Sequence, residues 1–304
     1  MSPIADLRHD AFVYETDGLF AGQVASFLRA GIEEDAATVV VLNPRSRAVL
    51  RETLGEVAEL VSLTADPDEF YTRPAEAISG YDATLRELVA AGRPSVRVVG
   101  ELPSCSSTAE WDAWQSYEAI LNHVFTRYPA WILCAYDTRV LPDRVVKGAW
   151  HTHEQILTDS WQASAYYDDP ENVVRSLVPA SGGELAALPV PADDRGLRDV
   201  LEREMAAAGV AGDRARDMLV AATEVAINAR RHGGGITGLR AGNVEGRFVC
   251  EISDAGPGLN NPLAGYLPPP RVHSGGAGLW LARQLTLRIE LVSPGQGLTV
   301  RLWL

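Results

Sequence analysis

The chain has 304 residues, 46% of them hydrophobic, and a formal net charge of −13. The length points to two domains, and the acidic balance argues against direct nucleic-acid binding, which needs a basic face to neutralise phosphate. No apolar run reaches the ~20 residues of a membrane span, Met1–Asp6 has neither the basic start nor the apolar core of a secretory signal, and the scattered Cys105, Cys134 and Cys250 read as reduced thiols; a cytoplasmic protein with no membrane partner is expected.

The first half alternates strand-like and helix-like stretches. Phe12–Glu15 reads as a strand. Leu19–Ala30 reads as a helix, with Phe20, Val24, Phe27 and Leu28 at helical spacing and Gly31 closing it. Thr38–Leu42 is an almost unbroken apolar run, the mark of a strand buried on both faces. There follow a helix over 45–60, a short strand at Val61–Leu63, a helix over 74–91 and a strand at Val96–Gly100. A helix over 109–127, a strand at Trp131–Tyr136 and a final helix over 147–158 complete the series. Such repetition implies an α/β domain: a parallel sheet with helices on both faces and right-handed crossovers.

Open α/β sheets take ligands beyond the carboxyl ends of their strands, and those ends carry Glu15, Asp17, Asn43, Glu101 and Asp137. A phosphate loop after the first strand would need glycines and a lysine, but Tyr14–Phe20 has no Gly-Lys-Ser/Thr. No cysteine or carboxylate joins His9, His151 and His153 at ligand spacing, so ordinary hydrogen-bonded histidines are expected rather than a metal site. A small-molecule pocket lined by His9, Tyr14, Glu101 and Asp137 is expected instead, with its ligand unread. Trp111, Trp114 and Tyr117 recur every three residues and read as core packing.

Residues 168–191 read as a proline-stiffened linker, with a short helix at Asn172–Leu177 and an edge strand near Leu185–Val190. The second domain, 192–304, opens with a helix over Gly196–Ala208, and Asp213 is placed to cap the next one. Strands at Ile236–Ala241 and Arg247–Ser253 follow, then a proline-rich loop over 259–274, a helix over Gly278–Leu287 and a hairpin of Ile289–Val292 with Leu298–Leu304. The expected result is a two-layer α/β sandwich, helices on one face of a mixed sheet.

Three pieces of this half carry chemistry. Glu224 and Asn228 stand four apart on a helix of small and apolar residues, so they project from one face, and the helix ends in Ala229-Arg-Arg-His232-Gly233. Polar groups on a buried helix need partners, since an unpaired one costs about 1–3 kcal/mol. Asp254-Ala-Gly256-Pro-Gly258 ends an alternating apolar run, where a carboxylate can accept from an amino group and glycine lets backbone come close. Gly275-Gly276-Ala277-Gly278-Leu279 opens a helix, whose free N–H groups and dipole favour phosphate.

In this order and spacing the three pieces resemble the ATP-binding domain shared by gyrase, histidine kinases and the anti-sigma-factor serine kinases, the GHKL superfamily with its Bergerat fold, over about residues 190–304. The resemblance implies ATP with Mg²⁺: Asn228 as the Mg²⁺ ligand, Glu224 as the base, Asp254 as the adenine reader, and Gly276 and Gly278 as the phosphate cradle. It places His232, Gly256, Gly258 and Leu279 in the same nucleotide site, and Arg271 and His273 in the lid. In the first half, His9-x-x-Phe-Val-Tyr14 and Leu133-Cys-Ala-Tyr-Asp137 resemble the MEDS sensory domain, a RecA/KaiC-like fold without a phosphate loop, over about residues 5–165.

Three functional readings stand. The compact C-terminal ATP domain, the Glu-x-x-x-Asn box and the short lid resemble an anti-sigma-factor serine/threonine kinase, implying a sigma factor and a STAS-type anti-anti-sigma factor as partners and a possible homodimer. A sensor histidine kinase would need a phospho-accepting histidine on a helical hairpin; His153-Glu154 has no following Arg-x-x-Pro and only Pro/Gly-rich chain after it. A non-catalytic nucleotide- or protein-binding switch is the third, because Ala277 stands where the serine-kinase relatives often carry arginine.

Overall fold

A computed structural model describes residues 6–61, 67–178, 185–268, 277–293 and 295–304. The chain forms two compact units, one up to Val173 and one from Val174.

In the first unit, β1 (Arg8–Tyr14) is followed by α1 (Asp17–Glu33), capped by the Thr16 side chain, which accepts from the Leu19 amide. Gly31 does not end this helix. It lies inside it because the buried Arg97 side chain passes over that point: a Cβ there would come 2.4 Å from Arg97 Cδ. Arg97 is held between the Phe27 and Trp131 rings and donates to Glu34 at 2.7 Å and to the Phe27 carbonyl.

Next come β2 (Ala37–Val41) and α2 (Pro44–Leu54), with the Asn43 side chain capping α2 and proline in its first turn. The expected helix over 45–60 breaks at Gly55, φ 60°, where L-residues with side chains are strained, and a tighter 3-10 segment runs on to Leu60. Of the expected strand at Val61–Leu63, Val61 is extended but unpaired and the rest lies outside the described residues. α3 (Pro67–Phe70), α4 (Pro74–Ala90), β3 (Val96–Glu101), α5 (Thr108–Val124) and β4 (Ala130–Asp137) follow. α5 starts in a capping box, Ser107 and Glu110 each bonding the other's backbone. The expected last helix over 147–158 is displaced: α6 is Asp143–Thr152, and the chain then turns into a short hairpin, β5 (Gln155–Leu157) with β6 (Trp161–Ala163).

The sheet order is β2-β3-β4-β1-β5-β6, with every pairing parallel except β5–β6. Alternation along each strand divides the side chains between two helical layers. Phe12, Tyr14, Val40, Val99, Leu133 and Ala135 pack with Phe20, Val24, Leu28 and Leu50 of α1 and α2. His9 and Cys134 point to the opposite face, toward α5. Fully burying such a leucine or phenylalanine stabilises the fold by about 1.5–3 kcal/mol.

α7 (Pro170–Ser176) precedes the second unit's β7 (Ala186–Leu188), α8 (Asp194–Ala207), α9 (Gly212–His232), β8 (Ile236–Val244), β9 (Arg247–Asp254), α10 (Gly278–Leu285), β10 (Arg288–Val292) and β11 (Thr299–Trp303). Asp213 lies in the first turn of α9 and does not cap it; the capping position is Ala211, which offers no side-chain oxygen. β8 and β9 join through Glu245 and Gly246, both with positive φ, a tight turn that suits the sheet twist. The order is β10-β11-β9-β8-β7, with β7 on the edge. All four pairings are antiparallel, so the expected mixed sheet is an antiparallel one. One face carries Phe248, Cys250, Ile252, Val300 and Leu302 against Leu201, Met218, Ala222 and Ala226 of α8 and α9. The other face is charged: Arg301 bridges Glu251 at 2.9 Å and Glu290 at 2.5 Å, all three buried. No helix among the described residues is long and apolar enough to cross a membrane.

Candidate functional site

α9 is amphipathic in a particular way. Ala221, Ala222, Val225, Ala226 and Ala229 are buried against the sheet, and the polar pair, Glu224 and Asn228, stands half-buried one turn apart on a neighbouring stripe. α10 begins against that stripe. Gly278 is there for space: a Cβ on it would lie 2.6 Å from Glu224 Oε2 and 3.4 Å from Asn228 Nδ2.

Asp254, at the end of β9, is clamped. Its Oδ1 accepts from the Gly256 amide at 2.9 Å and the Leu298 amide at 3.2 Å, and its backbone N–H donates to the Leu298 carbonyl. Glycines make this fit possible. A Cβ on Gly233 would sit 2.3 Å from Asp254 Cγ, and one on Gly256 would sit 2.7 Å from Gly233 Cα. Gly258, φ 80°, packs against Ser293, in a backbone region that disfavours other residues. Asp254 Oδ2 makes no hydrogen bond among the described residues.

These pieces surround one cavity of about 290 Å³. Asn228, His232, Gly233, Asp254, Gly258 and Leu279 line it, and Val225, Pro257, Leu259, Leu291, Leu298 and Val300 complete an apolar wall. The structure therefore brings together Asn228, His232, Asp254, Gly258 and Leu279 as lining residues, with Glu224, Gly256 and Gly278 in the layer directly behind or beside them. Gly276, Arg271 and His273 lie outside the described residues. A largely apolar cavity lined by one carboxylate with an oxygen not engaged by the described residues suits a heteroaromatic ring bearing an amino group.

Sequence reasoning missed Arg283. Wholly surrounded by protein on α10, it donates to the Ala264, Pro262 and Ile289 carbonyls and lies over the Tyr266 ring at 3.8 Å. It thereby ties the described part of the loop that follows Gly258 to the helix that begins at Gly278. Burial pushes its pKa down, yet three carbonyls and a π face compensate the charge. An arginine in the last turn of a helix carries no sequence mark of such a role.

In the first unit the four expected pocket residues do not meet. Tyr14, Glu101 and Asp137 share the α1/α2 face at the carboxyl ends of their strands. Tyr14 donates to Glu101 Oε1 at 2.9 Å, where Ser46 also donates, and Asn43 donates twice to Oε2. Burial raises the Glu101 pKa, against the pull of these donors. Arg139 pairs with Asp137 at 2.7 Å and with Asp17 at 2.8 Å, its hydrogen bond holding Asp137 low against the effect of burial. β1 passes into α1 through Glu15 and Thr16 alone, leaving no loop to wrap a phosphate.

His9 lies at the other end of β1 and on its other face, about 16 Å along the strand from Tyr14. There it meets Glu118 at 3.1 Å and Cys134 at 3.3 Å, and His153 joins them. The expectation that no carboxylate or cysteine accompanies these histidines is corrected: the partners come from α5 and β4, far off in sequence. Burial, then the neighbouring His9, push His153 toward its neutral form, and burial, then Glu118, push the Cys134 thiol up. His151 is exposed and stands apart, beside Tyr166.

Comparisons with known proteins divide the chain in the same way. Residues 8–154 match the family model described as MEDS, the methanogen/methylotroph, DcmR sensory domain. Residues 189–304 match the model of the histidine kinase-like ATPase domain. No curated protein matches the chain. The chain is a fusion of a MEDS domain with a kinase-like, ATP-binding domain of the histidine kinase-like ATPase family.

Proposed function

We propose that the C-terminal domain is a Bergerat-type, Mg²⁺-dependent protein serine/threonine kinase of the anti-sigma-factor kind, governed by a RecA/KaiC-like sensory domain that has lost its phosphate loop. Its partners are then a sigma factor, which it sequesters, and a STAS-type anti-anti-sigma factor, which it phosphorylates. The observation that carries the reading is the convergence of three separate sequence pieces on one 290 Å³ cavity with a free carboxylate oxygen.

The residues fit ATP. Asp254 accepts from the adenine amino group through Oδ2 while Oδ1 stays committed to backbone. Val225, Leu279, Leu291, Leu298 and Val300 exclude water from the ring. Asn228 offers an amide oxygen to Mg²⁺, a hard ion that takes oxygen ligands and balances phosphate charge. The backbone at the start of α10 holds phosphate oxygens. Glu224 accepts the proton of the attacking serine or threonine hydroxyl, which general-base catalysis makes worth about 10²–10⁴-fold in rate.

The test is transfer of the γ-phosphate to a STAS-type protein. Glu224→Ala should abolish transfer while leaving ADP binding in place, and Asn228→Ala should weaken the Mg²⁺-dependent part of binding. One observation favours a second reading, a non-catalytic switch: Ala277 brings no cation to the phosphates. ATP binding with no transfer, and no change in partner binding for Glu224→Ala, would select that reading.

A further inference from the structure

The structure assigns a metal site to the interior of the MEDS domain: we propose that His9, Glu118, Cys134 and His153 bind one divalent transition-metal ion of the Zn²⁺ class. The inference is independent of the nucleotide site.

The four ligand atoms come from β1, α5, β4 and the residue that ends α6, and all lie within 4.8 Å of one another in buried surroundings. Four of the six spacings, 3.1–3.5 Å, are close to those of a coordination shell, and every pair lies within 4.8 Å. A tetrahedral Zn²⁺ with bonds of about 2.0–2.3 Å sets its ligands roughly 3.3–3.8 Å apart. His9 Nε2 to Glu118 Oε2 is 3.1 Å, His9 Nε2 to Cys134 Sγ 3.3 Å, Cys134 Sγ to Glu118 Oε2 3.2 Å, and His153 Nε2 to Glu118 Oε2 3.5 Å.

The outer hydrogen bonds fix which nitrogen faces inward. His9 Nδ1 lies 3.1 Å from Asn122 Oδ1, and Asn122 is held in that orientation because its Nδ2 donates to the Thr152 carbonyl at 2.7 Å. His153 Nδ1 lies 3.0 Å from the Ala149 carbonyl. The Thr152 hydroxyl also lies 2.9 Å from His153 Nδ1, but it donates to the Gly148 and Ala149 carbonyls; every outer partner can thus accept, so each Nδ1 carries the proton and each Nε2 turns a lone pair toward Glu118. This is the outer-shell arrangement that orients metal-bound histidines. Without a metal ion, or a proton on one of the two imidazoles, it is unfavourable, because lone pairs face a carboxylate. His153 Nε2 has no hydrogen-bond partner although the residue is 0% exposed. A buried nitrogen left so costs about 1–3 kcal/mol.

Charge closes the case. A thiolate and a carboxylate carry two negative charges, two neutral imidazoles none, and a divalent ion cancels the sum. Binding displaces the thiol proton of Cys134, which leaves to solvent, and the ion takes the sulfur lone pair in its place. The nitrogen, sulfur and carboxylate set excludes Ca²⁺ and Mg²⁺, which take all-oxygen shells. Four protein ligands leave no open position, as in structural rather than catalytic sites.

The experiment uses the full chain, expressed without a histidine tag in medium containing Zn²⁺ or Co²⁺, then dialysed. About one equivalent of metal per chain is expected by elemental analysis. The Co²⁺ form should show tetrahedral visible absorption and a thiolate-to-metal band in the near ultraviolet. Cys134→Ser should remove that band and weaken retention by at least the ~10-fold that losing even an outer partner of a ligand costs. In case that variant does not fold, Cys105→Ser with Cys250→Ala leaves Cys134 as the sole thiol, and the band should persist. Wild-type chain that retains no metal, cobalt bound without a thiolate band, or a band lost in the Cys105/Cys250 variant would each overturn the assignment.

Discussion

Replacing Asp254 by asparagine tests the reading of the base at a single atom. Asp254 Oδ1 already accepts from the Gly256 and Leu298 amides, at 2.9 and 3.2 Å. An asparagine must keep its carbonyl oxygen there, because turning it round would set NH₂ against two backbone donors. Its amide nitrogen is then forced into the place of Oδ2, at the cavity that Asp254 lines. Adenine offers a donor at that point, so a charge-assisted bond becomes donor against donor. Loss of such a bond costs about 1.5–3 kcal/mol, or about 10- to 150-fold in affinity. Inosine nucleotides carry an acceptor at the same position, and a new neutral bond worth about 1 kcal/mol should strengthen their binding about fivefold over wild type. The assay is calorimetric titration of wild type and Asp254→Asn with ADP and inosine diphosphate in Mg²⁺, with thermal melting as a folding control. The expected result is opposite shifts for the two nucleotides and a nearly unchanged melting temperature. Equal losses for both, or unchanged ADP affinity, would refute the assignment of Asp254 to the base.

Other outcomes follow from the same geometry. Gly278→Ala drives a Cβ to 2.6 Å from Glu224 Oε2 and should lower phosphate transfer at least ~10-fold with a smaller effect on ADP affinity; paired kinetic and binding measurements check the split. Gly31→Ala should destabilise the MEDS domain by about 1–3 kcal/mol by overpacking against Arg97, despite alanine's better helix propensity, as seen in denaturant midpoints. Glu101 has a raised pKa, so the folded state holds its proton after the unfolded state has released it, and stability falls as pH rises from about 4.3 through the folded pKa. Glu101→Gln removes that fall, so wild type's advantage over the variant should be greatest at low pH and shrink upward, read from melts across pH 4–8. Arg283→Ala should leave the Ala264, Pro262 and Ile289 carbonyls without their donor and raise proteolytic cleavage in the loop after Gly258 while the sheet persists.

The order of elements was legible because periodicity is a local property: the apolar run at Val39–Val41 and the stripe of α8 identify themselves. That Asn228, His232, Asp254, Gly258 and Leu279 meet at one cavity was legible because they sit in short motifs whose backbone demands are local too. What failed depended on distant contacts. Gly31 reads as a helix stop, and only the passage of Arg97 from β3 makes it a packing glycine. The mixed sheet read for the second domain became antiparallel because pairing partners, unlike strands, are not written locally. His9 was grouped with Tyr14, although alternation along β1 sends them to opposite faces. Its actual neighbours, Glu118 and Cys134, are 109 and 125 residues away, and no spacing rule spans such a gap.

The most direct test is whether the full chain binds a Mg²⁺-adenine nucleotide in the cavity between α9 and α10. Titration calorimetry with ATP and Mg²⁺ should give one site per chain, with the heat lost on removing Asp254 and much reduced on removing Asn228. A silent titration of well-folded protein, or binding that ignores both substitutions, would contradict it.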